Sequence, residues 1–488
     1  MSLKKQAIVG TFWIALNQYS SVLINLIVSI ILARLLDPKD FGLIAMIGIF
    51  MGIGNILMSS GLGQSLIRST NPDQEDYSTV FFFNFGGSII MYLILYFTAP
   101  LIAQFYKEEA LINIIRVFTI SFIINSFSMV QFTRLTKEMD FKTQMKVSIP
   151  SLIIGGLLGI IMAYNGYGVW SLVYMTLVSS ILGVILIWVR TKWSPSFVFN
   201  IKKFKYHFNY GYKLTLAAII DVIFNNAYVL LIGKYFSTTQ VGYYDRANNL
   251  KQLPVQNISN IIHKVTFPLF VKIKDNDEKL KDVYQRILKL VIFIVAPIMI
   301  LMAVLAEPLF RFVLTEKWLP AVPYFQILCI NGILFPIHSY NLNVLKVKGR
   351  TDLYLKIEII KKIAILVIIS ISFQFGIYGL LYGSVVLSII DFFINTHYTK
   401  KILNYSSWEQ INDLIPMIIS SIFCGFIIYI EDYFLKDFLT YDIVRLITGS
   451  MLGVLIYLFI AYLLKMSALN EIVIIIKENH NNKTNKTL

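Results

Sequence analysis

The side chains with chemistry to offer in this sequence sit where lipid could not satisfy them. In an apolar run spanning residues 11 to 33, Asn17, Ser21 and Asn25 recur every four positions. That spacing puts them on one slowly drifting face of a helix. A later apolar run, 211 to 233, carries Asp221, Asn225 and Asn226. Amides and hydroxyls so placed can bond across helices or bind a polar solute. A carboxylate near mid-span is costlier and calls for a cation, a proton or a basic partner. Asp221 is therefore the candidate for a coupling ion, Na+ or H+. No other cofactor and no metal site is indicated.

A third run, 247 to 271, is flanked by Arg246 and contains Lys251, Asn257, His263 and Lys264. It is too polar to face lipid and must line something. Its cations suit an anionic solute. Pro254 and Pro268 can kink it.

Two of these segments are copies. Asn25 and Asn225 share a register 200 positions apart, as do Ser21 and Asp221. The stretch Ala33-Arg34-Leu35-Leu36 to Phe41-Gly42 is likewise matched by Gly233-Lys234-Tyr235-Phe236 to Val241-Gly242. Polar positions matched across a duplication of membrane segments point to a central site. The first copy has only amides and hydroxyls, whereas the second has the carboxylate.

These residues are carried by membrane-spanning helices. The 488 residues are 57% hydrophobic and 15% charged, and the mean hydropathy is +0.68. A soluble domain is nearer one quarter charged. Apolar stretches of roughly 20 residues, enough to cross a hydrocarbon core of about 30 Å, recur from residue 11 to 464 and number about fourteen. The formal charge of +15 alternates by loop, as the positive-inside rule requires, and is no nucleic-acid footprint. Basic clusters at Arg134 to Lys146, Arg190 to Lys213 and Lys264 to Lys289 place both termini in the cytoplasm. The acidic loop of Asp73, Glu75 and Asp76 falls on the same side against the trend.

The expected organisation is an all-α integral membrane protein in two six-helix lobes related by pseudo-twofold symmetry. Residues 1–200 form the first lobe and 201–400 the second; two unduplicated spans fill 401–464, and 465–488 are a cytoplasmic tail. The link from Arg190 to Tyr210, with Phe197, Phe199, Phe204 and Phe208, reads as an interfacial amphipathic stretch. The glycines at 48, 52 and 54 read as close helix packing. Arg68 and Arg116 are further cavity candidates. Cys329 and Cys424 fall within spans and suggest packing rather than a disulfide. Nucleotide loops, zinc-protease motifs and nucleophile elbows are absent, so the sequence reads as no enzyme.

The run Phe41-Gly42-Leu43 to Gly61-Leu62-Gly63-Gln64-Ser65-Leu66-Ile67 resembles a signature of bacterial polysaccharide flippases. So does Tyr243-Tyr244-Asp245-Arg246-Ala247 leading to Leu253-Pro254 and Val265-Thr266-Phe267-Pro268. The resemblance is to the Wzx-type exporters of lipopolysaccharide or colanic-acid-like repeat units, in the multidrug/oligosaccharidyl-lipid/polysaccharide exporter superfamily. It implies a two-lobed, V-shaped transporter in the bacterial inner membrane. Its cargo would be an undecaprenyl-diphosphate-linked oligosaccharide, moved to the periplasmic leaflet by alternating access for O-antigen, capsule or exopolysaccharide synthesis. Partners would be that lipid-linked substrate, membrane lipids, and the polymerase and chain-length machinery, with no nucleic acid. Lipid-II flippases carry arginines on the first helix, where this chain has Asn17, Ser21 and Asn25, so lipid II is the less favoured cargo. The alternative is a cation-coupled multidrug antiporter of the same superfamily.

Overall fold

The computed structural model describes residues 3–59, 61–436 and 441–474, with the side chains of 3–8, 261 and 263–265 outside that description. All regular structure among them is helical, and the chain divides into two compact units, 1–245 and 246–488. The first unit holds α1 (Leu3–Leu35), α2 (Pro38–Ser59), α3 (Leu62–Arg68), α4 (Gln74–Tyr106), α5 (Ala110–Phe118), α6 (Ile120–Lys137), α7 (Phe141–Tyr164), α8 (Trp170–Arg190), α9 (Ile201–Asn225) and α10 (Ala227–Tyr235). Then α11 (Thr238–Lys272) runs from the first unit into the second. The rest are α12 (Asp277–Val304), α13 (Ala306–Leu314), α14 (Val322–Val347), α15 (Thr351–Ser372), α16 (Gly376–Leu403), α17 (Ser407–Leu435) and α18 (Asp442–Leu463).

Eleven helical stretches among the described residues are long and apolar enough to cross a membrane, or twelve if the bent pair α9 and α10 counts as one span. The expectation of fourteen differs for two reasons. α11, expected as a span over 247–271, is helical but too polar to pass as one. Residues 351–403 form one apolar stretch, yet α15 and α16 pack side by side after a break at 373–375. Their combined length, 53 residues, is more than twice what a bilayer needs.

In the first unit, small residues set the spacing. A methyl group at Gly156 would meet Val28 of α1 at 2.6 Å, and one at Gly159 would meet Met175 of α8 at 2.9 Å. On α2, Gly52 lies under Val222 of α9, where a methyl would come within 2.8 Å, and Gly54 lies under the Phe122 ring of α6. The glycine-rich second span is thus a packing surface for α6 and α9, as small residues in membranes allow. The link after α8 does not lie free. Phe204 and Phe208 pack on Phe83 of α4 at 4.8 and 6.2 Å between ring centroids, while Phe197 stays exposed.

The duplicated segments meet each other. A methyl on Gly42 would overlap the carbonyl oxygen of Thr238, and one on Gly242 would overlap that of Pro38. Positions 200 apart therefore face one another reciprocally, an isologous contact within one chain. Both helix starts are capped alike. The Asp37 N–H donates to Asp40 Oδ2 and the Ser237 N–H to Gln240 Oε1, each at 3.1 Å. Glu108 joins the copies, ion-paired with Lys39 at 3.3 Å and accepting from Thr238 Oγ1.

In the second unit, α12 is central and packs on α14 and α17. Trp318, Tyr284, Phe310 and Phe325 are fully buried. The unduplicated pair α17 and α18 is clamped by Arg445, which donates to both Asp432 oxygens at 2.8 Å. Cys329 and Cys424 are buried thiols, the latter directed at the Gly453 carbonyl at 3.0 Å. The segment expected as a free tail starts packed, since Met466 and Ala468 are buried; residues 475–488 lie outside the described residues.

Candidate functional site

A cavity of about 820 Å³ opens inside the first unit between α2, α3, α4, α6 and α9. Its wall is largely apolar, with Ile56, Ile67, Met129, Phe132 and Leu214. Gln64, Asn84, Asn125, Thr133, Thr215 and Asp221 interrupt it. A few convergent polar groups in an apolar wall are the usual make-up of a binding site. No Lys or Arg occurs among these described lining residues.

The polar groups differ in what they have left to offer. Thr133 Oγ1 donates to the Met129 carbonyl at 2.9 Å and Thr215 Oγ1 to that of Gly211 at 3.1 Å. Their lone pairs remain as acceptors. Asn84 is only 3% exposed and its Oδ1 has no hydrogen-bond partner. A buried carbonyl left so costs about 1–3 kcal/mol unless a bound group supplies a donor. Amides that donate and accept, hydroxyls that accept, and one carboxylate form a surface suited to the hydroxyl groups of a sugar.

Local structure explains why these groups converge. Gly61 starts α3 at φ +66°, a left-handed turn that costs glycine little. The same glycine lets α9 come close, since a methyl there would lie 2.9 Å from Gly211. Four residues before Gly211, the buried His207 is hydrogen-bonded to Ser65 Oγ at 2.8 Å and to Asp76 Oδ1 at 3.2 Å. One turn earlier, Lys203 binds Asp73 and lies 3.4 Å from Glu75 and 3.5 Å from Asp76. The acidic loop that ran against the charge trend is thus matched by the basic link. The Lys203 ammonium, with the Asp76 backbone N–H, holds the Asp73 carboxyl down at about 2. Along α9 the order is latch, close approach, cavity wall.

Of the residues singled out in the sequence, Asp221 lies on this cavity. Asn17 and Ser21 are half-buried and Asn25 exposed on α1, which packs on α7 and contributes none of the lining. Asn225 is exposed, and the Asn226 amide turns back on the Val222 carbonyl at 2.8 Å. In the second unit, Arg246 stands over the Trp318 ring at 5.9 Å, Lys251 is 8% exposed, and the Asn257 amide donates to the Leu253 carbonyl at 2.7 Å. The side chains of His263 and Lys264 lie outside the described residues. Arg68 and Arg116 lie over the rings of Tyr210 and Tyr96 at 4.6 and 4.4 Å rather than lining the cavity. Sequence reasoning missed Asn84 and Asn125, although both are polar residues inside apolar spans, the signal that picked out Asn17.

Helices long and apolar enough to cross a membrane, around a largely apolar cavity interrupted by a few polar groups, make this a multi-pass membrane protein. Residues 31–323 match the model of a family described as polysaccharide biosynthesis protein. The chain is 26% identical over 355 residues to the teichuronic acid biosynthesis protein TuaB of Bacillus subtilis (strain 168), covering 72% of this chain and 73% of that one. It is 24% identical over 413 residues to the lipopolysaccharide biosynthesis protein WzxC of Escherichia coli (strain K12), covering 84% of each. In fold it is similar to the lipid II flippase MurJ in an inward closed conformation, with a TM-score of 0.75 and 14% identity over 92% of this chain and 98% of that one. The chain belongs to this family of polysaccharide biosynthesis proteins. This is a family of transporters, not enzymes.

Proposed function

We propose that the protein translocates an undecaprenyl-diphosphate-linked oligosaccharide across the bacterial inner membrane by alternating access. The observation that carries this reading is the cavity of about 820 Å³ whose polar lining is amides, hydroxyls and one carboxylate. Such a wall favours the sugar portion of the cargo, and the prenyl chain would stay in lipid. The cations of α11, Arg246, Lys251 and Lys264, remain the proposed contacts for the diphosphate, and Asp221 the proposed coupling group for Na+ or H+. Fourteen spans result if α11, the bent α9–α10 pair and both α15 and α16 cross; an even number puts both termini on one side, which we assign to the cytoplasm from the basic loops. Release at one end would require the Gly42–Gly242 contact to part.

Binding of two ligands to purified protein tests the sugar reading: a prenyl-diphosphate oligosaccharide and the same prenyl diphosphate without sugar. The glycosylated form should bind more tightly, and an Asn84→Leu/Asn125→Leu variant should lose that increment while keeping its affinity for the sugar-free lipid. Equal binding of both lipids by the unaltered protein would remove the sugar site from this cavity.

A further inference from the structure

A second pocket, about 350 Å³, lies at the other side of α6, where the ends of α6 and α8 meet the start of α7 and the link after α8. Its rim carries Arg134, Arg190 and Lys192, and Gln131 and Trp193 form part of its lining. Its carboxylates are engaged locally. Glu138 accepts from Arg134 at 3.3 Å, and Asp140 caps α7 by accepting from the Thr143 N–H at 3.0 Å and its hydroxyl at 2.7 Å. Arg190 and Lys192 are exposed and make no ion pair among the described residues. Arg190, in the last turn of α8, also complements the helix dipole. That role does not account for Gln131, which is 1% exposed with neither its Nε2 nor its Oε1 hydrogen-bonded. The Arg134 Nε is also buried without a partner.

From this geometry we infer that the pocket is a binding site for the phosphate headgroup of an acidic membrane phospholipid. Two exposed cations supply the charge, and the Gln131 amide and Arg134 Nε supply directed donors for phosphate oxygens. Ile181, Ile185 and Val189, spaced every four residues on α8 and all exposed, form an apolar track that ends beside Arg190 and would take an acyl chain. Trp193 ties the pocket to the rest of the unit. Its Nε1 donates to Gln74 Oε1 at 2.6 Å, and its ring packs on Tyr77 and Phe81 at 6.2 and 6.1 Å between centroids. A bound headgroup would therefore pin the link between α8 and α9, outside the 820 Å³ cavity, and this inference stands whether or not the cargo is a sugar.

The test is lipid retention by the purified full-length protein, measured by native mass spectrometry with phosphatidylglycerol and phosphatidylcholine as probes. Phosphatidylglycerol should be retained preferentially. Arg190→Gln/Lys192→Gln should weaken that retention about thirtyfold, each cation near a membrane surface accounting for about fivefold. Gln131→Leu should weaken it while leaving the protein monodisperse, and Lys400→Gln/Lys401→Gln, the same loss of charge elsewhere, should change nothing. Equal retention of the two lipids would overturn the inference, as would a control pair that loses as much as the test pair. So would displacement of the lipid by inorganic phosphate at equal concentration, which would make the pocket a site for a free ion.

Discussion

α1 and α9 descend from one pattern and stand in different surroundings. Both carry polar residues in the same register, Ser21 and Asn25 against Asp221 and Asn225. α1 packs on α7 at the margin of its unit, whereas α9 is set against α2, α3 and α4 and turns Thr215 and Asp221 to the cavity. At the ends of these segments the copies remain equivalent, with Gly42 and Gly242 each seated on the other's partner carbonyl. The duplication has thus been kept where the copies touch and has diverged where a solute would be met. Matching register marks candidate positions, and packing decides which of them face the cavity.

Exchanging chemistry between the copies should have the largest effect. Asp221→Asn should abolish polysaccharide export with normal amounts of folded protein in the membrane. Ser21→Ala, at the matching position of α1, should change export by less than about twofold, the size of an ordinary surface substitution. Equal losses would show that the two helices share one role.

Where the copies are equivalent, the effects should be equivalent. Gly42→Ala and Gly242→Ala each force a methyl against a carbonyl oxygen and should cost about 1–3 kcal/mol of stability, read as matched falls in melting temperature. A fall in only one would mean that the contact is not reciprocal.

Asn84 separates binding from folding. Asn84→Leu removes a buried carbonyl without a partner, so thermal stability should hold or rise by about 1 kcal/mol while transport falls. Loss of both together would assign Asn84 to the core instead.

The smallest effect belongs to the latch. Asp73 is held at about 2, below its usual 3.8, by Lys203. A carboxyl depressed in the folded state stabilises it above the unfolded value, and that contribution is lost as pH falls from about 4 through about 2. Asp73 is exposed and Lys203 half-buried, so Lys203→Met should cost less than about 1 kcal/mol at neutral pH. Its clearer signature is a rise of the Asp73 pKa toward 3.8 in an NMR titration.

Helix type and membrane character were legible from hydropathy because lipid leaves the backbone few alternatives. The break between α9 and α10 was not, since the apolar run from 211 to 233 is continuous. The 45° bend falls at Asn226, whose amide takes up the Val222 carbonyl. α11 was readable as a polar helix, but the environment of its cations depends on packing that no local pattern carries. Asp221 stood out as a carboxylate within a span. Asn84 and Asn125 have no polar counterpart 200 positions further on, where Tyr284 and Phe325 are both buried aromatics.

Translocation can be followed by reconstituting the protein in vesicles with a fluorescent prenyl-diphosphate oligosaccharide and measuring the fraction reachable by a membrane-impermeant quencher. The unaltered protein should exchange the labelled lipid between leaflets, and Asp221→Asn should not. Exchange at the same rate by both, or by neither, would contradict translocation dependent on Asp221.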